Sequence, residues 1–191
     1  MHVLSRVFAV IGIIGSIALP AEAADGPRAD IALGYSLIYD HDIKTTFPAG
    51  WFVGAAVNVT NAFALAGEVS GHYKSESGTV GSTTANATLN VYSYLGGPRF
   101  VAGTGAARVF FEILAGGATA SGGVSTINAR SAFLSNTSQT DFCYRPGAGI
   151  DIGFNTVIAM RLAAGERFIR VNGGTSNEFQ FVAGFVFRFD K

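Results

Sequence analysis

The chain has 191 residues, of which 14% are charged and 49% hydrophobic, with 25 glycines and 16 phenylalanines, so a single domain is expected. Its 13 basic and 13 acidic residues give zero formal net charge and form no basic patch or tail, which argues against a nucleic-acid partner. After the first 23 residues no unbroken apolar run reaches the ~20 residues that a membrane-spanning helix needs.

Residues 1–23 read as a cleaved secretory signal. His2 and Arg6 make a weakly basic start, residues 7–19 are apolar, and Ala21-Glu22-Ala23 is a small-x-small cleavage site. An uncleaved anchor helix is the competing reading. The apolar stretch is short for that and breaks at Pro20. Residues 24–191 then form one domain.

Strict alternation of apolar with small or polar residues predicts strands, because successive side chains of a strand point to opposite faces. Eight such segments follow in order. Residues 30–39 put Ile31, Leu33, Tyr35, Leu37 and Tyr39 on one face. Residues 51–60 put Trp51, Val53, Ala55, Val57 and Val59 together. Residues 63–73 set Phe63, Leu65, Val69 and Tyr73 against Glu68, Ser70 and His72.

Residues 90–100 set Tyr92, Tyr94, Pro98 and Phe100 against Ser93, Gly97 and Arg99. Residues 109–117 set Phe111, Ile113 and Ala115 against Glu112 and Gly116. Residues 142–152 set Phe142, Tyr144, Ala148, Ile150 and Ile152 against Cys143, Arg145, Gly147 and Asp151. Residues 157–168 alternate least clearly. There the odd separation of Arg161 and Glu166 prevents both from facing one way, and the reading favours Glu166 inward with Arg161 near the periplasmic rim.

The last segment, residues 179–189, carries Phe179, Phe181, Phe185, Phe187 and Phe189 on a single face, with Arg188 opposite. Five phenylalanines on one face of a strand suit contact with lipid better than a packed core. Pro98 and Pro146 cannot donate to a ladder, so bulges or strand ends are expected at both.

Connections between the segments alternate in length. The short ones are Asn61, residues 101–108 and residues 153–156. The long ones, 41–50, 74–89, 118–141 and 169–178, are read as loops, and the last three are rich in Ser, Thr, Gly and Asn. The expectation is an all-β, eight-stranded antiparallel up-and-down transmembrane β-barrel, with short turns and both termini in the periplasm. Closure matters, because an open sheet edge in hydrocarbon leaves backbone groups unpaired at several kcal/mol each.

The inner faces of such a barrel are narrow enough for side chains to fill. Glu68, His72, Arg99, Glu112, Arg145 and Asp151 are expected to form a polar lumen network, with Glu68 and Glu112 opposite Arg99 and Arg145. Cys143, the only cysteine, reads as a small strand residue. No metal constellation, cofactor loop or catalytic motif stands out.

The alternating-aromatic last strand, Gly96-Gly97-Pro98-Arg99-Phe100, and Gly147-Ala148-Gly149-Ile150-Asp151 resemble the OmpA-like, porin-family outer-membrane β-barrel domain proteins over residues 24–191. The resemblance implies insertion in the outer membrane of a Gram-negative-type bacterium and recognition of the last strand by the barrel-insertion machinery. It implies no catalytic residues. The function expected is a structural or surface-interaction role among outer-membrane lipids, with a lumen that is plugged or at most a narrow pore and external loops of unassigned ligand. Two alternatives stay open. One is a lipid-modifying enzyme using Ser70, His72 and Glu68; the other is a soluble lipocalin-like barrel, suggested by Gly50-Trp51, that binds a small apolar ligand inside.

Overall fold

The computed structural model describes residues 28–42, 44–80, 83–104, 106–127, 132–171 and 174–189. The signal segment 1–23 lies outside them. Nine strands form one antiparallel sheet: β1 (Ala29–Asp40), β2 (Thr45–Phe47), β3 (Ala49–Asn58), β4 (Phe63–Val80), β5 (Thr83–Thr104), β6 (Ala107–Ile127), β7 (Ala132–Gly153), β8 (Ile158–Val171) and β9 (Gly174–Phe189). Each long strand pairs with the next, and β1 pairs with β9 from Ala29↔Phe189 to Asp40↔Glu178, so the sheet closes on itself. β2 is a short addition that pairs only with β1; the other eight strands are the staves of the barrel.

One end carries tight turns and both ends of the sheet. At the β3–β4 turn, the amides of Val59 and Thr60 donate to the Phe63 carbonyl. At the β7–β8 turn, Asn155 Oδ1 accepts from the amides of Val157 and Ile158 at 2.8 and 2.7 Å, an Asx turn that makes up for the missing ladder. Gly103, ahead of the β5–β6 turn, sits at φ 101°, where a side chain would be strained.

The strand faces agree with the period-two reading. Leu33, Val53, Leu65, Ile113 and Phe185 point outward and are exposed, at 45, 45, 56, 45 and 52%. A lipocalin-like arrangement would reverse these faces, and the apolar side is on the outside here.

Three expectations are corrected. First, the described parts of segments 74–89, 118–141 and 169–178 are paired strand and not loop, the last through Ile169↔Ser176, Arg170↔Thr175 and Val171↔Gly174. β4 pairs with β5 to Val80↔Thr83 and β6 pairs with β7 to Ile127↔Ala132, so two hairpins rise as β-ribbons past the level where β3 and β8 end. Their Ser/Thr/Asn composition reflects water on both sides, not absence of pairing.

Second, the prolines make no bulges. The β5–β6 register is the same at Gly96↔Ala115 and Arg99↔Glu112, and the β7–β8 register is the same at Tyr144↔Phe168 and Gly147↔Gly165. The ladder omits the proline steps and resumes without an inserted residue. Gly97 and Gly165 face the gaps, where a Cβ would run into the Ile113 and Pro146 carbonyls.

Third, Arg161 is buried and faces the lumen at the turn end, whereas Glu166 is on the outer face of β8, 3.4 Å from His41. Parity is hard to read here because Ala163, Ala164 and Gly165 are small on both faces.

Candidate functional site

Among the described residues, inward positions of the staves bring twelve carboxylate and guanidinium side chains into the lumen. Six are acidic (Asp30, Asp40, Glu68, Glu112, Asp151, Glu178) and six are arginines (Arg99, Arg108, Arg145, Arg161, Arg167, Arg188), all buried. The counts balance, and every buried cation is an arginine. A guanidinium suits this site because its planar fork holds two carboxylates at once, which the single ammonium of lysine does less well.

Arg145 on β7 is the hub. Its Nη1 donates to Glu68 Oε1 at 2.6 Å and Gln180 Oε1 at 2.7 Å; its Nη2 donates to Glu112 Oε1 at 2.6 Å and Glu68 Oε2 at 3.0 Å. These partners lie on β4, β9 and β6, so one side chain reaches across the bore. Arg99 Nε donates to Glu112 Oε2 at 2.8 Å, and Arg99 Nη1 is 3.7 Å from Asp30. Arg161 closes the turn end, donating to both Asp151 oxygens at 2.7 and 2.8 Å and to Asp30 at 3.3 Å. Phe110 sits between the Arg99 and Arg161 guanidiniums, 4.6 and 4.8 Å from its ring centroid, which adds cation–π attraction to the ion pairs.

Toward the other end, Gln180 Nε2 donates to Glu68 Oε1 and to Ser36 Oγ, and Ser36 Oγ is 2.8 Å from His72 Nε2. A continuous polar chain therefore runs His72–Ser36–Gln180–Glu68–Arg145–Glu112–Arg99–Asp30–Arg161–Asp151. It draws on every stave except β3, whose inward residues include Phe52 and Ala56. Above it, Arg167 and Glu178 approach to 3.5 Å beside the buried Cys143.

All six residues expected to form the network are in this chain. Asp30, Ser36, Arg161 and Gln180 were not among them. Asp30, Ser36 and Gln180 have clear inward parity in their strands, so that signal was present; the parity of Arg161 is blurred by its small neighbours, and its pairing with Asp30 needed the third dimension to show. Phe110 is likewise an inward residue that alternation alone marks only as buried.

The hydrolase arrangement does not form. Ser70 Oγ is bonded to Ser93 Oγ at 2.8 Å, and Glu68 is committed to Arg145 and Gln180. His72 meets Ser36 instead, and both are 0% exposed, so no substrate can reach that pair. Among the described residues no group of His, Cys, Asp or Glu is arranged to hold a metal ion.

The outer surface divides into bands. Phe63 packs on Phe100 at 5.5 Å near the turns. At the opposite border Trp51 Nε1 donates to Tyr73 OH at 3.0 Å, and Tyr73 meets Tyr92 edge-on at 5.8 Å. Ten residue steps along β4 lead from Phe63 to Tyr73. At a rise of ~3.3 Å per residue and a tilt of ~40°, they span roughly 25 Å, the height of the apolar band in transmembrane barrels. Beyond the upper border, the outward rows of the ribbons are Tyr73–Asn90–Ser121–Ser138 and Tyr92–Thr119–Thr140. Thr119 and Thr140 hydroxyls bond at 2.8 Å, and Ser121 and Ser138 hydroxyls at 3.2 Å. A cavity of about 200 Å³ lies at the foot of the ribbons, lined by Thr45, Lys74, Glu76, Ala87, Thr88 and Leu89.

A scan against protein-family models finds no match, and a search of curated proteins by sequence finds none. Solved structures do match in shape. Ail, the attachment invasion locus protein of Yersinia pestis, aligns with a TM-score of 0.59 at 15% identity, covering 85% of this chain and 99% of Ail. The fold is that of the small outer-membrane β-barrels. Ail in complex with the heparin analogue sucrose octasulfate aligns at 0.61 and 16% identity, over 85% of this chain and 99% of that one. Neisserial surface protein A aligns at 0.50 and 11% identity, over 88% and 100%. The barrel shares their architecture and few of their residues.

Proposed function

We propose that the chain is a small barrel of the Gram-negative outer membrane with a structural or surface-interaction role, its lumen closed by the arginine–carboxylate network. Turns and both ends of the sheet face the periplasm, and the two ribbons project outward. One observation carries the reading: exposed apolar side chains ring the outside while six arginines and six carboxylates are sealed within. Surrounding lipid would be the constant partner, and the phenylalanine strand β9 the segment offered to the insertion machinery. A catalytic role is disfavoured by the enclosure of Ser36, Ser70 and His72.

Ail has been captured with a heparin analogue. Among the described residues at the ribbon end the charges balance and do not favour a polyanion: Lys44, Lys74 and Arg170 are matched by Asp42, Glu76 and Asp141. The ribbons suit neutral, hydrogen-bonding partners better.

Heat-modifiable electrophoresis of the purified protein, combined with planar-bilayer recording, tests the proposal. The expected result is a compact band that shifts only on boiling and an inserted protein without large steady conductance. A band with no such shift would overturn the barrel reading, and a stable large pore would overturn the closed lumen.

A further inference from the structure

Charge is unevenly spread along the bore, and positive charge is in excess at the turn end. Three arginines face inward there, Arg108, Arg161 and Arg188, against two aspartates, Asp30 and Asp151, and all five are buried. Arg28, two residues before Asp30 and of the same parity, stands exposed at the rim. Among the described residues this end therefore carries four guanidiniums and two carboxylates. The middle layer is even, with Arg99 and Arg145 against Glu68 and Glu112.

The two aspartates are already engaged. Arg161 holds both oxygens of Asp151 and one of Asp30, which also lies 3.7 Å from Arg99. Arg108 is the cross-strand neighbour of Asp151, yet that carboxylate turns to Arg161 on the other side. Arg188, cross-strand to Asp30, adds a like charge within electrostatic reach of Arg108. At 6 and 4% exposure, Arg108 and Arg188 are shielded from bulk water. A surplus cation so enclosed is costly unless an anion joins it. Geometry selects the anion. Arg108 is the second residue of β6, and the Arg188 amide donates to the Val157 carbonyl at the β7–β8 turn, so both stand at the mouth. They belong to β6 and β9, with β7 and β8 between them, and their forks approach from different walls. A carboxylate gives both its oxygens to one fork. A tetrahedral phosphate has oxygens for both, and a dianion matches the surplus of two charges. Behind Arg108, Phe110 fills the bore between the Arg99 and Arg161 guanidiniums, so entry is from the turns.

We propose that the turn-end mouth of the lumen is a phosphate-binding site, with Arg108 and Arg188 as the binding forks and Arg28 as the rim charge that draws the anion in. The site goes beyond the structural or surface role above. Only the periplasmic origin of its ligand rests on the orientation given there. Two carriers fit this chemistry, a soluble phosphate and the phosphate-monoester headgroup of a lipid, and the experiment separates them.

The refolded protein, in maltoside micelles that contain no phosphate, is titrated with inorganic phosphate by calorimetry at constant ionic strength. A heat-modifiable band is checked first, and its absence would count against the barrel separately from the site. Micelles leave both ends open to solvent, so the orientation in the membrane does not enter the result. Saturable binding is expected. Arg108→Gln should bind at least about tenfold more weakly, the effect of one charge-assisted hydrogen bond. Arg28→Gln should bind about two- to fivefold more weakly, as for an exposed charge. A second titration uses short-chain phosphatidic acid: tighter, Arg108-dependent binding makes the lipid the carrier, and weaker binding makes it the soluble ion. Failure of phosphate to saturate, or an equal heat from chloride in its place, overturns the proposal. A folded Arg108→Gln with wild-type affinity overturns it too. Should that variant not fold, the exposed Arg28→Gln decides, and wild-type affinity there overturns the proposal.

Discussion

Arg145 shows what a single side chain does in this lumen. Buried ion pairs gain little overall, because desolvation offsets their attraction, yet removing one partner strands a charge. Arg145→Met leaves Glu68 with only the Gln180 amide, while Glu112 keeps Arg99. The expected loss is about 3–5 kcal/mol in urea unfolding from lipid vesicles, and Arg145→Met/Glu68→Gln should recover more than half of it. A single-variant loss below about 1 kcal/mol would mean that water reaches the network freely. At the outer border, Gly71 lies under Trp51, and a Cβ there would come within 2.8 Å of the indole Nε1. Gly71→Ala must displace the ring and break its bond to Tyr73. A shift in tryptophan emission with a cost of about 1–3 kcal/mol is expected. The inward parity of Glu68, Glu112 and Arg145 could be read from alternation. Their convergence on one guanidinium could not, because pairing across the bore depends on stagger between non-adjacent strands.

At the scale of a strand, facing was legible and extent was not. In β9 and β4 lipid on one side and a packed lumen on the other force a two-residue period, and the sequence carries it plainly. Past Tyr73 and before Phe142 both sides meet polar surroundings, the period fades, and paired strand looks like loop. β8 failed for a different reason: its small residues blur the parity that would have turned Arg161 inward and Glu166 outward. Where facing is sharp, its energetic consequence can be measured. Phe185 is outward, 52% exposed, and paired with Leu33 and Met160 near the middle of the belt. Phe185→Arg should cost ~2–4 kcal/mol in bilayers, whereas Tyr73→Arg at the border should cost ~0–1 kcal/mol. Equal costs would show that Phe185 does not meet hydrocarbon.

Among the described residues the barrel encloses equal numbers of carboxylates and arginines, and that balance makes a prediction about sign. In a low-dielectric bore any unbalanced charge attracts the opposite ion and repels its own kind. Neutralising one arginine leaves the lumen negative; neutralising one carboxylate leaves it positive. Both changes also loosen a cross-bore contact, so each variant should leak more than the wild type. In a potassium chloride gradient across a planar bilayer, Arg145→Gln is expected to shift the reversal potential toward that of the cation. Glu112→Gln should shift it toward that of the anion, since Arg99 and Arg145 each lose a partner there. The opposed signs matter more than the size of the current, because damage to the fold would raise leakage in both variants without sorting ions. Identical selectivity in the two would place the conducting path outside the network, along the protein–lipid boundary. Opposite selectivity would locate it through the bore, at the level where Arg145 spans from β7 to β4.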